Sequence, residues 1–270
     1  MISSLPETSV LKVALRDGVI RASIDDPATR NALGAKLMDD LEALLQATRD
    51  DRSVRAIVLE GAEGRFCAGG NLKGFSNTSP VARGPDPMRE ESIRGGRLFH
   101  ALFSHPMLVI ALVDGPAMGG GFGLACCADI VVTTPNARFA LSETTLGVVP
   151  AQIAPLVVSK IGLAAARRLA LTGGRLDGAQ AARVGLSDFH CDGSAEAEAV
   201  VQDLLAQVHR CAPEANAATK RLLLNLDTRD VEAMIALAAD VFLDRLRSPE
   251  GQEGVAAFLG KRSPSWAGGA

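Results

Sequence analysis

An α/β fold closed by a helical C-terminal segment is the architecture this sequence predicts, on three observations. Short apolar runs alternate with helical patterns through the first half of the chain. In its middle, a strand, helix, strand succession recurs within about thirty residues, the span a β-α-β unit requires. From Ser194 onward the pattern is almost wholly helical, and this change separates residues 1–193 from residues 194–270.

Taken in order, residues 11–15 and 19–24 are short apolar runs of strand character, residues 33–48 repeat their apolar positions at helical spacing, and residues 56–60 form the next strand. Residues 107–113 read as a buried strand, 119–128 as a short helix rich in Ala and Gly, and 130–133 as the strand after it. Residues 138–141 make another short strand, and 153–161 and 163–171 read as helices. Residues 196–210, 213–225 and 231–246 carry the helical pattern of the C-terminal segment. Between Lys73 and Gly96 lies a stretch rich in Ser, Pro, Gly and charge, and a polar segment of this length inside a compact domain is expected to be functional or mobile.

Composition narrows the function classes. A chain of 270 residues that is 47% hydrophobic can bury a substantial core. With a formal net charge of -3 it has no basic field to draw in nucleic acid or an anionic membrane, so neither is expected as a partner. Its longest apolar stretches, 107–113 and 153–158, are too short to span a bilayer. The opening MISSLPETSV does not read as a secretory leader, and a cytoplasmic location is the expectation. Five cysteines (67, 126, 127, 191 and 211) form no CxxC pair and four histidines are scattered, so reduced thiols and no metal are expected. No tyrosine occurs, which excludes a tyrosine acid, nucleophile or oxyanion donor.

Three segments carry candidate chemistry. In RFCAGGNL (65–72), after a strand, small residues let a ligand approach the backbone and meet its amides; an ordinary glycine turn explains the same residues. In DGPAMGGGFGL (114–124), three glycines at a helix start leave N–H donors exposed at the positive end, where a developing oxyanion can be held; close helix-on-strand packing would also select glycine. The spacing is not that of a dinucleotide-binding turn. In SETTLGVVP (142–150), Glu143 stands at a strand end before an apolar turn, where desolvation would raise its pKa toward that of a working acid or base; a surface carboxylate is the plainer reading.

Together, FCAGG, DGPAMGGGFG, ARFALSETTLGVVP, LTGGRLDGAQAARVGL and FLGKRSPSW, in this order over nearly the whole chain, resemble the crotonase superfamily, also called the enoyl-CoA hydratase/isomerase family. The resemblance implies a spiral of ββα units over residues 1–193, with a helical trimerisation domain over residues 194–270. It also implies a homotrimer or dimer of trimers acting on an acyl-CoA thioester, with coenzyme A as part of the substrate and no separate cofactor. By the family pattern, the N–H groups of Ala68 and Gly120 form the oxyanion hole and Glu143 is the principal catalytic carboxylate. Arg30, Ala32, Ala68, Gly70 and Leu72 match the edge that binds the coenzyme A, with Phe258 and Lys261 covering it from the C-terminal segment, often that of a neighbouring subunit.

One position departs from the pattern. The best-known hydratases carry a second glutamate three residues after the oxyanion glycine, and here that position is Gly123. One carboxylate suffices for Δ3,Δ2 double-bond isomerisation, so an isomerase is the alternative reading, with a non-catalytic acyl-CoA-binding homologue as a third. The segment SETTLGVVPAQIAPLVVSKIG, however, resembles the bacterial hydratases of 3-branched glutaconyl-CoA thioesters, such as isohexenylglutaconyl-CoA in acyclic terpene breakdown, and this favours hydration. An arginine near the polar stretch (Arg83, Arg89, Arg94 or Arg97) is expected to meet the distal carboxylate of such a substrate.

Overall fold

The computed structural model describes residues 5–70, 86–225 and 231–267. The main sheet runs in the order β1 (Leu11–Arg16), β2 (Val19–Ile24), β3 (Ala56–Gly61), β4 (Leu108–Val113), β6 (Ile130–Thr133) and β9 (Phe189–His190). The first two strands form an antiparallel hairpin, and every later neighbour pairs in parallel. A smaller sheet joins β5 (Pro116–Met118), β7 (Arg138–Ala140) and β8 (Arg175–Asp177).

Parallel strands covered on both faces must be apolar on both, and the main sheet shows this residue by residue. In β3, Ile57 and Leu59 face one side while Ala56 and Val58 face the other; in β4, Val109 and Ala111 oppose Ile110. The first face is covered by α1 (Ala35–Thr48), α2 (Pro87–Phe103), α3 (Gly120–Cys127) and α4 (Ala154–Thr172), through Leu37, Leu41, Leu44, Leu98, Leu102, Phe122 and Val157. The opposite face is covered by α6 (Ser194–His209), through Ala197, Val201, Leu204, Leu205 and Val208. The switch to an all-helical pattern at Ser194 therefore does not mark a change of core, because the first helix after it closes the second face of the sheet.

The chain winds as a spiral. After β4 in the main sheet it enters β5 in the small sheet and then α3; after β6 it enters β7 and then α4. The preceding turn repeats the path with a single rung, since Cys67 bridges Ala117 in parallel before the chain goes on toward α2. The register across the small sheet is Cys67, Ala117, Phe139, Leu176. The residue after each rung thus occupies the same place in successive turns, about 4.8 Å apart. Large buried aromatics, Phe66, Phe122 and Phe139, fill the space beneath; Phe122 and Phe139 pack edge to face at 5.7 Å.

The expected strands are all present, and the structure adds β5, β8 and β9, which the sequence reading did not predict; the helices differ from it in four ways. The end of the polar stretch is helical: Asp86 caps α2 through the Met88 N–H, Pro87 opens it, and burial of Leu98, Phe99 and Leu102 outweighs the unfavourable Gly95-Gly96 pair. The two helices expected at 153–161 and 163–171 are one element kinked at Gly162, whose φ of 73° breaks the helix. A short helix α5 (Gly178–Arg183) forms on a capping box, in which Asp177 and Gln180 bond each other's backbone N–H at 2.7 and 2.9 Å. Beyond α7 (Pro213–Leu224) and α8 (Val231–Arg247), an unexpected α9 (Pro249–Leu259) starts on the Ser248 cap.

Two lysines tie these helices to the sheet. Lys220 of α7 donates to the Asp129 carboxylate at 2.7 Å and to the Met107 carbonyl at 3.2 Å; Lys160 of α4 bridges to Asp188 at 3.1 Å. No described helix is long and apolar enough to cross a membrane. Between α1 and the end of α2, fully buried His105 places Nε2 3.1 Å from Thr48 Oγ1 and 3.3 Å from the Leu45 carbonyl. Burial lowers its pKa to about 4, helped by nearby Lys220, Arg49 and Arg52 and opposed by the Leu45 carbonyl.

Because the unfolded chain takes up this proton more readily than the folded one, stability is full above the ordinary histidine pKa and is lost as pH falls toward about 4. The shift corresponds to at most about 3 kcal/mol. Chemical denaturation of His105→Gln at a series of pH values is expected to show this part of the acid limb flattened; an unchanged slope would assign the acid sensitivity elsewhere.

Candidate active site

The loops that follow the three rungs of the small sheet lie side by side. After Cys67 come Ala68, Gly69 and Gly70. The two rungs are tied by donation from the Cys67 N–H to the Pro116 carbonyl at 2.9 Å and from the Met118 N–H to the Cys67 carbonyl at 2.9 Å. Gly69 adopts φ 92°, and a side-chain carbon there would lie 2.7 Å from the Met118 carbonyl oxygen. Only glycine fits both the conformation and the gap. Ala68 is exposed, and its N–H has no acceptor among the described residues.

The next turn begins α3. Gly119, at φ 47° and ψ -111°, donates to the Ala140 carbonyl at 2.9 Å and turns the chain into the helix. Gly120 is the first helical residue, so its N–H has no partner within the helix and adds to the positive potential of that end. A side-chain carbon at Gly120 would lie 3.7 Å from the Gly70 nitrogen and 3.2 Å from Leu33 Cδ2. The backbones of the first two loops are therefore in direct contact.

The third turn supplies the carboxylate. Glu143 opens a 3-10 turn (Glu143–Leu146) that Gly147 closes in the left-handed conformation. Its side chain points back over α3: a carbon at Gly119 would lie 3.0 Å from Glu143 Oε1. Glu143 Oε2 is buried and has no hydrogen-bond partner among the described residues. Desolvation pushes the Glu143 pKa above the ordinary carboxylate value, opposed only by its own backbone N–H. Two backbone donors beside a half-desolvated carboxyl group can stabilise negative charge growing on an oxygen while a proton is moved next to it.

At Gly123, the position that departs from the family pattern, a side-chain carbon would lie 2.3 Å from Ile153 Cγ2 and 3.1 Å from Phe99 Cε1. The space a second carboxylate would enter is filled by hydrocarbon. Of the four arginines expected to meet a distal carboxylate, Arg83 lies outside the described residues. Arg94 is committed to α1, where it pairs with Glu42 at 2.7 Å and with Asp39, and these bonds hold its pKa well above the usual value. Arg89 pairs with its neighbour Glu90 at 3.4 Å, and Arg97 is exposed on α2.

Of the residues matched to the coenzyme A edge, Arg30 and Ala32 lie on a loop that docks beside Gly69 and Gly70. The Leu33 N–H donates to the Gly69 carbonyl at 2.7 Å, and Leu33 bridges Gly70 in parallel. Leu72 lies outside the described residues. Phe258, 83% exposed, and Lys261 stand at the end of α9, which packs on α7 and α8. Neither makes a hydrogen bond or ion pair to the converging loops among the described residues. The sequence reading missed Asn31. Buried at φ 61°, it donates from Nδ2 to the Arg65 carbonyl at 2.8 Å and accepts the Asp26 N–H at 2.8 Å, locking the Arg30 loop to the Ala68 loop. An Asn after an Asp-Pro turn, able to adopt the left-handed conformation, was the available clue.

With this geometry in place, similarity to known proteins carries weight. A family model described as Enoyl-CoA hydratase/isomerase matches residues 15–269. The structure superposes on that of AtuE from Pseudomonas aeruginosa with a TM-score of 0.91 at 44% identity, covering 96% of this chain and all of that one. It is similar, at 38% identity and a TM-score of 0.91, to an enoyl-CoA hydratase/isomerase from Marinobacter aquaeolei, covering 96% and 99% of the two chains. Carnitinyl-CoA dehydratase of Proteus mirabilis is 32% identical over 264 residues, 96% of this chain and 98% of that one. The chain belongs to the enoyl-CoA hydratase/isomerase family, enzymes of the crotonase superfamily that act on acyl-CoA thioesters.

Proposed function

We propose that this protein adds water across the double bond of an enoyl-CoA thioester with a single carboxylate, and that its substrate is a 3-branched glutaconyl-CoA of the isohexenylglutaconyl type. The observation that carries the catalytic part is the Glu143 carboxyl group, half-desolvated and held over the amino end of α3. The thioester oxygen lies between the N–H groups of Ala68 and Gly120. Glu143 takes a proton from water as the water oxygen bonds to C3. The double-bond electrons move onto the thioester as an enolate held by the two amides, and Glu143 then returns the proton to C2. One carboxylate closes the proton balance.

The substrate part is supported by the 142–162 segment, in which Ala151, Gln152, Ile153 and Ala154 stand where ordinary hydratases have a glycine-rich run. Arg30, Ala32, Gly70 and Leu72 are assigned to the coenzyme A, with Phe258 and Lys261 approaching that of a neighbouring subunit. The exposed apolar side chains of Ile235, Phe242, Phe258 and Leu259 support a homotrimer or a dimer of trimers. A second reading, Δ3,Δ2-enoyl-CoA isomerisation, is favoured by Gly123 and its hydrocarbon surroundings, since moving one proton needs one carboxylate.

Turnover in oxygen-18 water with 3-branched glutaconyl, straight 2-enoyl and 3-enoyl thioesters, products identified by mass, separates the two. Heavy oxygen in the branched product is the expected result; a product of unchanged mass from the 3-enoyl thioester alone establishes the isomerase. Glu143→Gln is expected to lower kcat by about a thousandfold, and near-normal turnover would remove Glu143 from the mechanism. In the wild type, kcat should rise with pH through a value above the ordinary glutamate pKa, because the ionised form does the work.

The stability sign is the opposite. A carboxyl whose folded pKa is raised loses stabilisation as pH rises from its unfolded to its folded pKa. Glu143→Gln should therefore melt at a higher temperature than wild type at neutral pH.

A further inference from the structure

Two glycines on neighbouring helices face two consecutive residues of the segment that follows Glu143. Gly119 and Gly123 stand one turn apart along α3, joined by the Gly123 N–H donating to the Gly119 carbonyl at 3.0 Å. The Glu143 carboxyl lies over the first and the side chain of Ile153 over the second, its Cγ2 2.3 Å and its Cβ 3.0 Å from where a side-chain carbon at Gly123 would be. On α2, Gly96 receives Gln152 in the same way, with Oε1 2.3 Å from the corresponding point, and Gln152 Nε2 donates to Ser92 Oγ at 3.1 Å. Between Glu143 and Gln152 the apolar side chains pack little, with Leu146, Val148 and Val149 all more than half exposed, and the start of the turn is tied to α4 by Thr144 Oγ1 donating to the Ala170 carbonyl at 2.8 Å. At the far end Ile153 is buried, and its carbonyl accepts the Val157 N–H at 2.9 Å as α4 begins.

We propose that Ile153 is a positioning residue: seated in the glycine notch of α3, it sets the height of the 143–153 segment over α3 and so the distance from the Glu143 carboxyl to the Gly120 amide, while Gln152 over Gly96 only follows. The two contacts differ in stiffness. Ile153 is β-branched, with a restricted χ1, and is buried. The Gln152 carboxamide is the free end of a flexible side chain. A methyl group at Gly123 therefore has to lift the segment, whereas one at Gly96 displaces only the carboxamide. No charged side chain acts on Glu143 among the described residues, and the elements packed against its segment contribute Gly119 and Gly123, Ser92, Gly96 and Phe99 of α2, and Ala170 of α4. Lifting the segment changes the solvation of Glu143 alone.

The inference rests on Glu143 being the proton-transferring group, and the test separates the two. Gly123→Ala is expected to lower kcat by about tenfold to a hundredfold at nearly constant KM, with the kcat pH profile moved to lower pH as Glu143 gains water. Gly123→Ala combined with Ile153→Ala, which removes the Cγ2 methyl, should recover most of both effects, and Gly96→Ala should change neither by more than about twofold. Wild-type kcat and pH profile in Gly123→Ala, or a loss that the double variant does not recover in folded protein, overturns the proposal. Where Gly123→Ala does not fold, Ile153→Val, which keeps both γ carbons, must retain kcat and Ile153→Ala must lose it; equal values overturn the proposal. Glu143→Gln at near-normal turnover defeats the parent reading, whereas its loss alongside an unaffected Gly123→Ala defeats the positioning role alone.

Discussion

The short second sheet is the constraint on which the site depends. Its rungs, Cys67, Ala117 and Phe139, are hydrogen-bonded neighbours, so the residues that follow them must lie one strand spacing apart. Ala68, the Gly119–Gly120 pair and the Glu143 turn are separated by dozens of residues in the chain, yet backbone pairing places them together before any side chain contributes. The large sheet and its two apolar faces supply the stability that holds this arrangement. The spiral connection repeats one path, so each turn delivers its loop to the same edge.

Close approach of the loops then dictates the glycines. At Gly69 the neighbouring carbonyl is too near for a side chain, and at Gly119 the carboxyl of Glu143 occupies the space one would need. The result is a set of main-chain N–H groups at the start of α3, with one carboxyl above it. Desolvation leaves Glu143 Oε2 without a partner among the described residues, a state that opposes folding and favours proton transfer. Electrostatic function is set against local stability here, and the surrounding hydrocarbon of Phe122, Phe139 and the main core holds the balance.

The departure at Gly123 belongs to the same logic. Its neighbour in space, Ile153, comes from the run ahead of α4 whose resemblance singled it out. The two positions are complementary in volume: the absence of a side chain at Gly123 on α3 leaves room for that of Ile153 ahead of α4. That pairing joins two features that looked unrelated along the chain, and it places an apolar contact one helical turn from the Gly120 amide at the start of α3.

Much of this was readable in the residues themselves. Continuous apolar runs at 56–60 and 107–113, helical spacing at 33–48 and the glycine break at 162 depend on local sterics and on which faces are buried, and both are written in residue order. The ordered motifs identified the family, and with it the fold. The sequence alone left three loops with plain alternatives, because a glycine turn, a helix-packing glycine and a surface glutamate look the same until their neighbours are known. Tertiary structure decided that these loops converge, that Arg94 is committed to Asp39 and Glu42, that Asn31 locks two loops, and that α6 belongs to the core. Each of these is a contact between residues far apart in the chain, fixed by strand register and burial, for which local periodicity carries no information.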